Sequence, residues 1–253
     1  MTFLPLASAL LASRLSGHPA ICPTEQDTPS NEEAAYDVQQ QVTTALIKRD
    51  GPIIAWKVGS ATPTAEPFAA PIHAATVFTT MPGPSPSFFR YIGVEAELAY
   101  RFDRTPIVTS DGCTNEAITE ALGAIHAVIE IVDTRFSKPG IAEPLVHRAD
   151  QQGHGALIIG PGRRDWQAVS PLQERVKLMI NGRTAADHEG GNSAGDPMRL
   201  LVWLAVHAAQ RGMPLTAGTI VTTGSTTGTI WVAANTRVEA EFASIGRLTL
   251  DLS

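Results

Sequence analysis

The sequence predicts an α+β protein: a helical segment, residues 1–50, followed by a strand-dominated domain, residues 51–253. Three observations lead to this. Residues 30–51 carry one continuous helical pattern with punctuation at both ends. Beyond Gly51, short apolar runs separated by Pro- and Gly-rich joints replace that period. Two further helical patterns are embedded among those runs.

The elements follow in order. Residues 6–15 read as a short helix and residues 17–29, rich in Pro, Thr and Asp, as a loop. Ser30 with Glu33 makes a capping-box pattern. It opens a helix with Ala35, Val38, Val42 and Leu46 on one face, and Gly51 closes it. Strands are expected at 53–58, 94–102, 125–132, 156–159, 176–180, 219–223, 229–233, 238–242 and 247–252. Helices are expected at 115–122 and 197–210, the second with Leu200, Leu201, Leu204 and Ala208 at helical spacing.

Composition narrows the function. The 253 residues are 43% hydrophobic and 17% charged, as in a globular protein. A net charge of −6 with scattered Lys and Arg argues against nucleic acid or an anionic membrane as partner. No apolar run approaches the roughly 20 residues of a membrane helix. The first sixteen residues are apolar, but no Lys or Arg precedes them and Arg14 interrupts them, so an amphipathic helix is expected rather than an export signal. Cys22 and Cys113 are far apart and form no C-x-x-C pair, so a reducing, cytoplasmic compartment is the simplest reading.

The chemistry concentrates in two strands. In Val94-Glu95-Ala96-Glu97-Leu98-Ala99-Tyr100, the two glutamates point to one face, roughly 7 Å apart along the strand. Two carboxylates that close repel unless positive charge sits between them. In Ala127-Val128-Ile129-Glu130-Ile131-Val132-Asp133, Glu130 interrupts an apolar run and must leave the core, pair, protonate or bind a metal. Three carboxylates from two strands suit a hard divalent cation that keeps open positions. An exposed face with salt bridges explains Glu95 and Glu97 equally well on their own. The histidines show no zinc spacing, and Gly-x-Ser-x-Gly is absent.

Six segments in order resemble one family. They are Ala35-Tyr36-Asp37-Val38-Gln39, Ala55-Trp56-Lys57-Val58-Gly59, Glu95-Ala96-Glu97, Ile129 to Arg135, Gly195-Asp196-Pro197 with Val202-Trp203-Leu204-Ala205, and Leu215 to Val221 leading into Thr223-Gly224-Ser225. The family is the 2-keto-4-pentenoate hydratase and 4-oxalocrotonate decarboxylase group of the fumarylacetoacetate hydrolase superfamily. The resemblance implies a mixed-β roll, Mg²⁺ or Mn²⁺ held by Glu95, Glu97 and Glu130, and a short 2-oxo acid substrate from aromatic-compound breakdown. It also implies a homo-oligomer, alone or with a decarboxylase or hydratase relative.

Other residues acquire expected roles from the same resemblance. Lys57, which on its strand alone reads as a lysine snorkelling at a strand end, becomes catalytic. Thr223, Gly224 and Ser225, otherwise a plain turn, become a substrate-binding loop. Arg135 pairs with Asp133, orients Glu130 or binds the distal end of the substrate. Asp150 holds a metal-bound water or caps a turn. One departure matters: where many hydratases carry Glu-Pro-Asp-Tyr/Phe-Gly, this chain has Ala70-Pro71-Ile72-His73-Ala74. Ile72 stands where an acid/base Asp is expected, and His73 is the candidate to take over its proton work. The leading expectation is a hydro-lyase adding water to a 2-oxo-4-enoic acid. The alternatives are a 4-oxalocrotonate-type decarboxylase, an acylpyruvate C–C hydrolase and a non-catalytic accessory subunit.

Overall fold

Two sheets and five α-helices make up the computed structural model, which describes residues 4–79 and 83–253. Helix α1 spans Pro5–Ser16 and α2 Glu32–Asp50. The cap of α2 is Asn31, whose side chain accepts from the Ala34 N–H at 2.9 Å, and not the neighbouring Ser30. Asn serves as well as Ser in that role, so the expected cap is displaced by one residue. Gly51, at φ 80°, ends the helix as expected.

The strands are β1 (Ile53–Gly59), β2 (Phe68–His73), β3 (Val77–Phe78), β4 (Ile92–Phe102), β5 (Leu122–Val132), β6 (His154–Arg163), β7 (Arg175–Ile180), β8 (Arg183–Glu189), β9 (Ile220–Ser225), β10 (Ile230–Val232), β11 (Thr236–Phe242) and β12 (Gly246–Leu252). The remaining helices are α3 (Asn115–Ala121), α4 (Pro144–Ala149) and α5 (Pro197–Gln210). The large sheet runs β2-β1-β9-β4-β5-β6-β3, with β10 also paired to β4. It is mixed: β1 is parallel to β9 and β3 to β6, and the other neighbours are antiparallel. The small sheet, β12-β11-β7-β8, is antiparallel throughout.

Three strands escape the sequence reading, each for a physical reason. Pro71 disguises β2, but β2 is an edge strand, where a missing N–H is tolerated. Strand β3 has only two residues. Strand β8 is polar and exposed, so it lacks apolar alternation. Its hairpin was announced by Asn181-Gly182, both at positive φ, a turn pair that favours two-residue hairpins. Helix α4 was also unforeseen.

Alternation on the central strands sorts the interior. Val94, Ala96, Leu98, Tyr100 and Phe102 of β4 join Ile125, Ala127, Ile129 and Ile131 of β5 in the main core, with residues of β11, β12 and α5. The opposite face of the same strands is divided. One end is apolar: Ala55, Ile72, Ala99, Val128, Leu157 and Ile159. The other carries Lys57, Glu95, Glu97 and Glu130. A second core joins Leu6, Ala7 and Leu10 of α1 and Val38, Val42 and Leu46 of α2 to Phe136 and to Val146 and Ala149 in α4.

Candidate active site

Strand pairing brings the three glutamates together. Glu95 lies directly opposite Glu130 in the antiparallel β4–β5 pair, and Glu97 is two residues further on β4. One carboxylate oxygen from each lies within 4.8 Å of the others. Glu97 and Glu130 are fully buried, at 1% and 0% exposure.

The surroundings treat the acids differently. Lys57 Nζ donates to Glu130 Oε1 at 2.7 Å and to the Gln152 carbonyl at 3.3 Å. His154 Nδ1 lies 3.0 Å from the same Oε1. Burial would raise the Glu130 pKa, but Lys57 and His154 outweigh it and hold it below the ordinary value. Glu97 accepts from the Thr222 hydroxyl and from the Gly224 N–H, the latter at 3.1 Å. Burial, then Glu130 and Glu95, push Glu97 well above the usual carboxylate range. Glu95 is raised too, by burial and then by Glu130, and accepts from the Thr229 hydroxyl. Burial opposes the charge on Lys57, yet the three carboxylates keep its pKa above the ordinary lysine value.

These features fit a divalent cation. Glu130 Oε2 is buried with no hydrogen-bond partner among the described residues, an arrangement that is costly unless something completes it. Two further acids with raised pKa values face the same point, and a cation there would relieve their repulsion. The donor set is all oxygen, as Mg²⁺ and Ca²⁺ prefer.

Glu95 and Glu97 open into a cavity of about 680 Å³, with Glu130 buried beside them. Lys57, Ser60, Asn192, Ser193 and Ser225 line it with polar groups, and Phe68, Val132, Pro139 and Trp231 with apolar ones. Gly224 and Ser225 also line it, and Ser225 Oγ has no hydrogen-bond partner among the described residues.

Residues 56–253 match the fumarylacetoacetate (FAA) hydrolase C-terminal family. The chain belongs to the fumarylacetoacetate hydrolase family. It is 24% identical over 161 residues to 2-hydroxyhexa-2,4-dienoate hydratase of Comamonas testosteroni, covering 63% of this chain and 59% of that one. It is 32% identical over 136 residues to 4-oxalocrotonate decarboxylase of a Pseudomonas species, covering 51% of each. The chain thus spans under two thirds of the length of these two relatives. Its fold matches that of 4-oxalocrotonate decarboxylase from Pseudomonas putida G7, solved with magnesium and adipate, at a TM-score of 0.85 and 21% identity over 98% of this chain and 96% of that one. An FAA hydrolase-type mixed-β roll is therefore the fold of this protein, as its sequence predicted.

Four of the expected site residues sit elsewhere in this family fold. His73 is turned away from the cavity: its Nε2 is 3.0 Å from the Thr43 carbonyl of α2, and the ring is buried. Strand alternation causes this, because Ile72 on the same strand takes the inward position among the apolar residues. Asp150 lies beneath the floor of the site, 3.2 Å from Arg14 Nη2 and 3.4 Å from Arg135 Nε, and accepts from the Arg135 backbone N–H at 3.2 Å. Arg135 therefore pairs with Asp150 and not Asp133, and it lines a second cavity behind the first. Asp133 instead accepts backbone N–H groups of Arg90, Tyr91 and Thr134. Thr223 Oγ1 is spent on the Leu98 carbonyl at 2.9 Å. The small-residue loop chiefly braces β4.

Sequence reasoning missed His154, Gln152, Thr229 and His147. His147, on α4, lines the cavity, whereas His154 is buried against Glu130. A signal for His154 was present: a histidine between Gly153 and Gly155 at the start of an apolar run. Gly153 has φ 66°, and a Cβ there would come within 2.5 Å of the Asp133 carbonyl, so the chain can press this turn onto the site only with glycine.

Proposed function

We propose that this protein is a Mg²⁺- or Mn²⁺-dependent lyase for a short 2-oxo acid, and that decarboxylation of a 2-oxo-3-enedioate fits its interior best. One observation carries the choice: Ile72 fills the inward position where the hydratase pattern has an acid/base Asp, and His73 does not replace it. Bound by Glu95, Glu97 and Glu130, the ion would supply Lewis-acid stabilisation of negative charge on the 2-oxo oxygen.

The protein residues do the rest. Lys57 Nζ, beside the acids, donates to the oxygen end of the substrate as a charged ammonium. Gly224 N–H and the Thr222 and Thr229 hydroxyls hold Glu97 and Glu95 in place. Phe68, Val132 and Trp231 shield the far end of the substrate from water. When the C5–C6 bond of 2-oxohex-3-enedioate breaks, CO₂ leaves, and the electron pair moves through the C3=C4 enone to the 2-oxygen, which takes up a proton from water to give the 2-hydroxydienoate. No protein group removes a proton to start this reaction, whereas water addition needs one that does. Lys57 is the only cation among the described residues lining the cavity. The departing carboxylate thus meets no second positive charge that would hold it back.

Hydration is the second reading, supported by the hydratase relative and by His147, an imidazole lining the cavity whose pKa burial and then Lys57 hold below the ordinary value, so that it stands neutral and able to accept a proton. One experiment separates them. The metal-loaded protein is incubated with 2-oxohex-3-enedioate and with 2-hydroxypenta-2,4-dienoate, and products are identified. CO₂ release from the first supports decarboxylation. Water addition to the second, with the first untouched, replaces that reading with hydration.

A further inference from the structure

Glu130 is held by an unequal pair of surroundings. Its Oε1 meets two nitrogens, Lys57 Nζ at 2.7 Å and His154 Nδ1 at 3.0 Å. Its Oε2 is buried and meets no hydrogen-bonding group among the described residues. The far side of the His154 ring is fixed as well: Nε2 lies 3.1 Å from Thr76 Oγ1, which is itself 3.0 Å from the His73 carbonyl. The ring is 4% exposed.

We propose that His154 is a positioning residue for the metal site: its Nδ1–H, with Lys57 Nζ, caps Glu130 Oε1 and leaves Oε2 as the one oxygen directed at the cation. The proposal rests on the metal-site reading above and extends it to a residue outside the acid cluster. Hydrogen counting supports it. A carboxylate has only acceptors, so a close imidazole nitrogen facing it must carry the hydrogen. Thr76 donates its single hydroxyl hydrogen to the His73 carbonyl, and its oxygen, 3.1 Å from Nε2, holds the ring from the other side. Groups that donate to a ligand's free oxygen orient it, and their loss typically weakens metal binding roughly ten- to a hundredfold. Capping also favours one-oxygen ligation by Glu130, which leaves coordination positions for substrate.

The test is Mn²⁺ and Mg²⁺ affinity by titration calorimetry, without substrate, on three variants. Asn carries its amide nitrogen near the Nδ1 position, Gln carries it near Nε2, and Leu matches Asn in shape without a donor. His154→Asn is expected to bind within about threefold of the parent, and His154→Gln and His154→Leu roughly ten- to a hundredfold more weakly. Thermal melts establish that each variant is folded. If His154→Leu fails to fold, the Asn and Gln variants decide. Equal affinities in those two overturn the proposal, as does parental affinity in a folded Leu variant. A parent that binds neither ion would sink the metal-site reading itself, a result distinct from a parent that binds and variants that bind equally.

Discussion

The two ends of one sheet face share the same strands and differ completely in chemistry. At one end Ala55, Ile72, Ala99, Val128, Leu157 and Ile159 pack without polar atoms. Two residues along, Lys57, Glu97 and Glu130 take the equivalent positions on β1, β4 and β5. The apolar end gains stability from burial. The acidic end loses it, because Glu97 and Glu130 are removed from water and are offset only in part, Glu130 by Lys57 and His154 and Glu97 by the Thr222 hydroxyl and the Gly224 N–H. Such a cluster persists because the apolar end and the main core on the reverse face supply the stability it lacks. Binding chemistry is thus confined to one stretch of each strand, and the rest of the strand is scaffold.

The largest effect expected from breaking this division is at Glu97. Glu97→Gln removes a proposed metal ligand, and turnover should fall by roughly a thousandfold, the several kcal/mol that metal-ion catalysis supplies. Metal-free stability should move the other way. The Glu97 pKa in the fold lies above its ordinary 4.5, so the fold binds the proton more tightly than the unfolded chain. The Glu97 contribution to stability without metal is therefore fully present below the ordinary carboxylate value and is lost as pH climbs through the raised one. Urea melts at several pH values should show this decline in the parent, and a flatter dependence in the variant. A variant with a decline as steep as the parent's would mean that Glu97 is not the strained acid.

The apolar end predicts the opposite pattern. Ile72→Ala should cost about 2–5 kcal/mol of stability while turnover per folded molecule stays near the parent's. Denaturant melts paired with steady-state assays check it. A loss of turnover at unchanged stability would place Ile72 in the chemistry and erase the distinction between the two ends.

How much of this division could be read from sequence depends on the range of the contacts. The Glu95/Glu97 alternation and the apolar run around Glu130 are local, so the acids and their faces were legible. That Glu95 stands opposite Glu130 is a matter of register, which no local pattern fixes. Lys57 and Ser225 reached the cavity because their strands were legible and the resemblance supplied the role. Asp150 looked like a site residue because its near neighbours are polar, and its true partner, Arg14, is 136 residues away. His73 failed for a simpler reason. Strand β2 was unrecognised behind Pro71, so the alternation that puts Ile72 inward and His73 outward was never applied.

A smaller effect is expected where α2 meets α5. His207 stacks on Trp203 with ring centroids 4.6 Å apart and lies 4.4 Å from the Tyr36 ring. Burial, then Arg211 and Arg148, lower its pKa to about 4. The fold keeps this ring neutral, while the unfolded chain protonates it below its ordinary 6.5. Its contribution is therefore present above pH 6.5 and lost as pH falls towards 4. His207→Phe keeps the stacking and should flatten the acid side of the stability profile in thermal melts. An unchanged acid slope would assign the loss to other groups.

The smallest effect on catalysis is expected at His73, the residue nearest in sequence to the dividing line. Its ring bonds the Thr43 carbonyl of α2 and is buried on the side away from the acids. His73→Ala leaves a cavity and removes one hydrogen bond, so stability should drop by about 1–3 kcal/mol. Turnover and its pH dependence should stay as in the parent, because no path leads from that ring to the cavity except through β2. Ile72→Asp is the counterpart: it points a carboxylate inward, where hydration chemistry would need one, at the cost of stability at the apolar end. If His73→Ala lowers turnover and Ile72→Asp yields no water addition, the ring takes part in the chemistry after all. If turnover survives the first and water addition appears with the second, the side of β2 on which the acid/base group sits separates this chain from the hydratases.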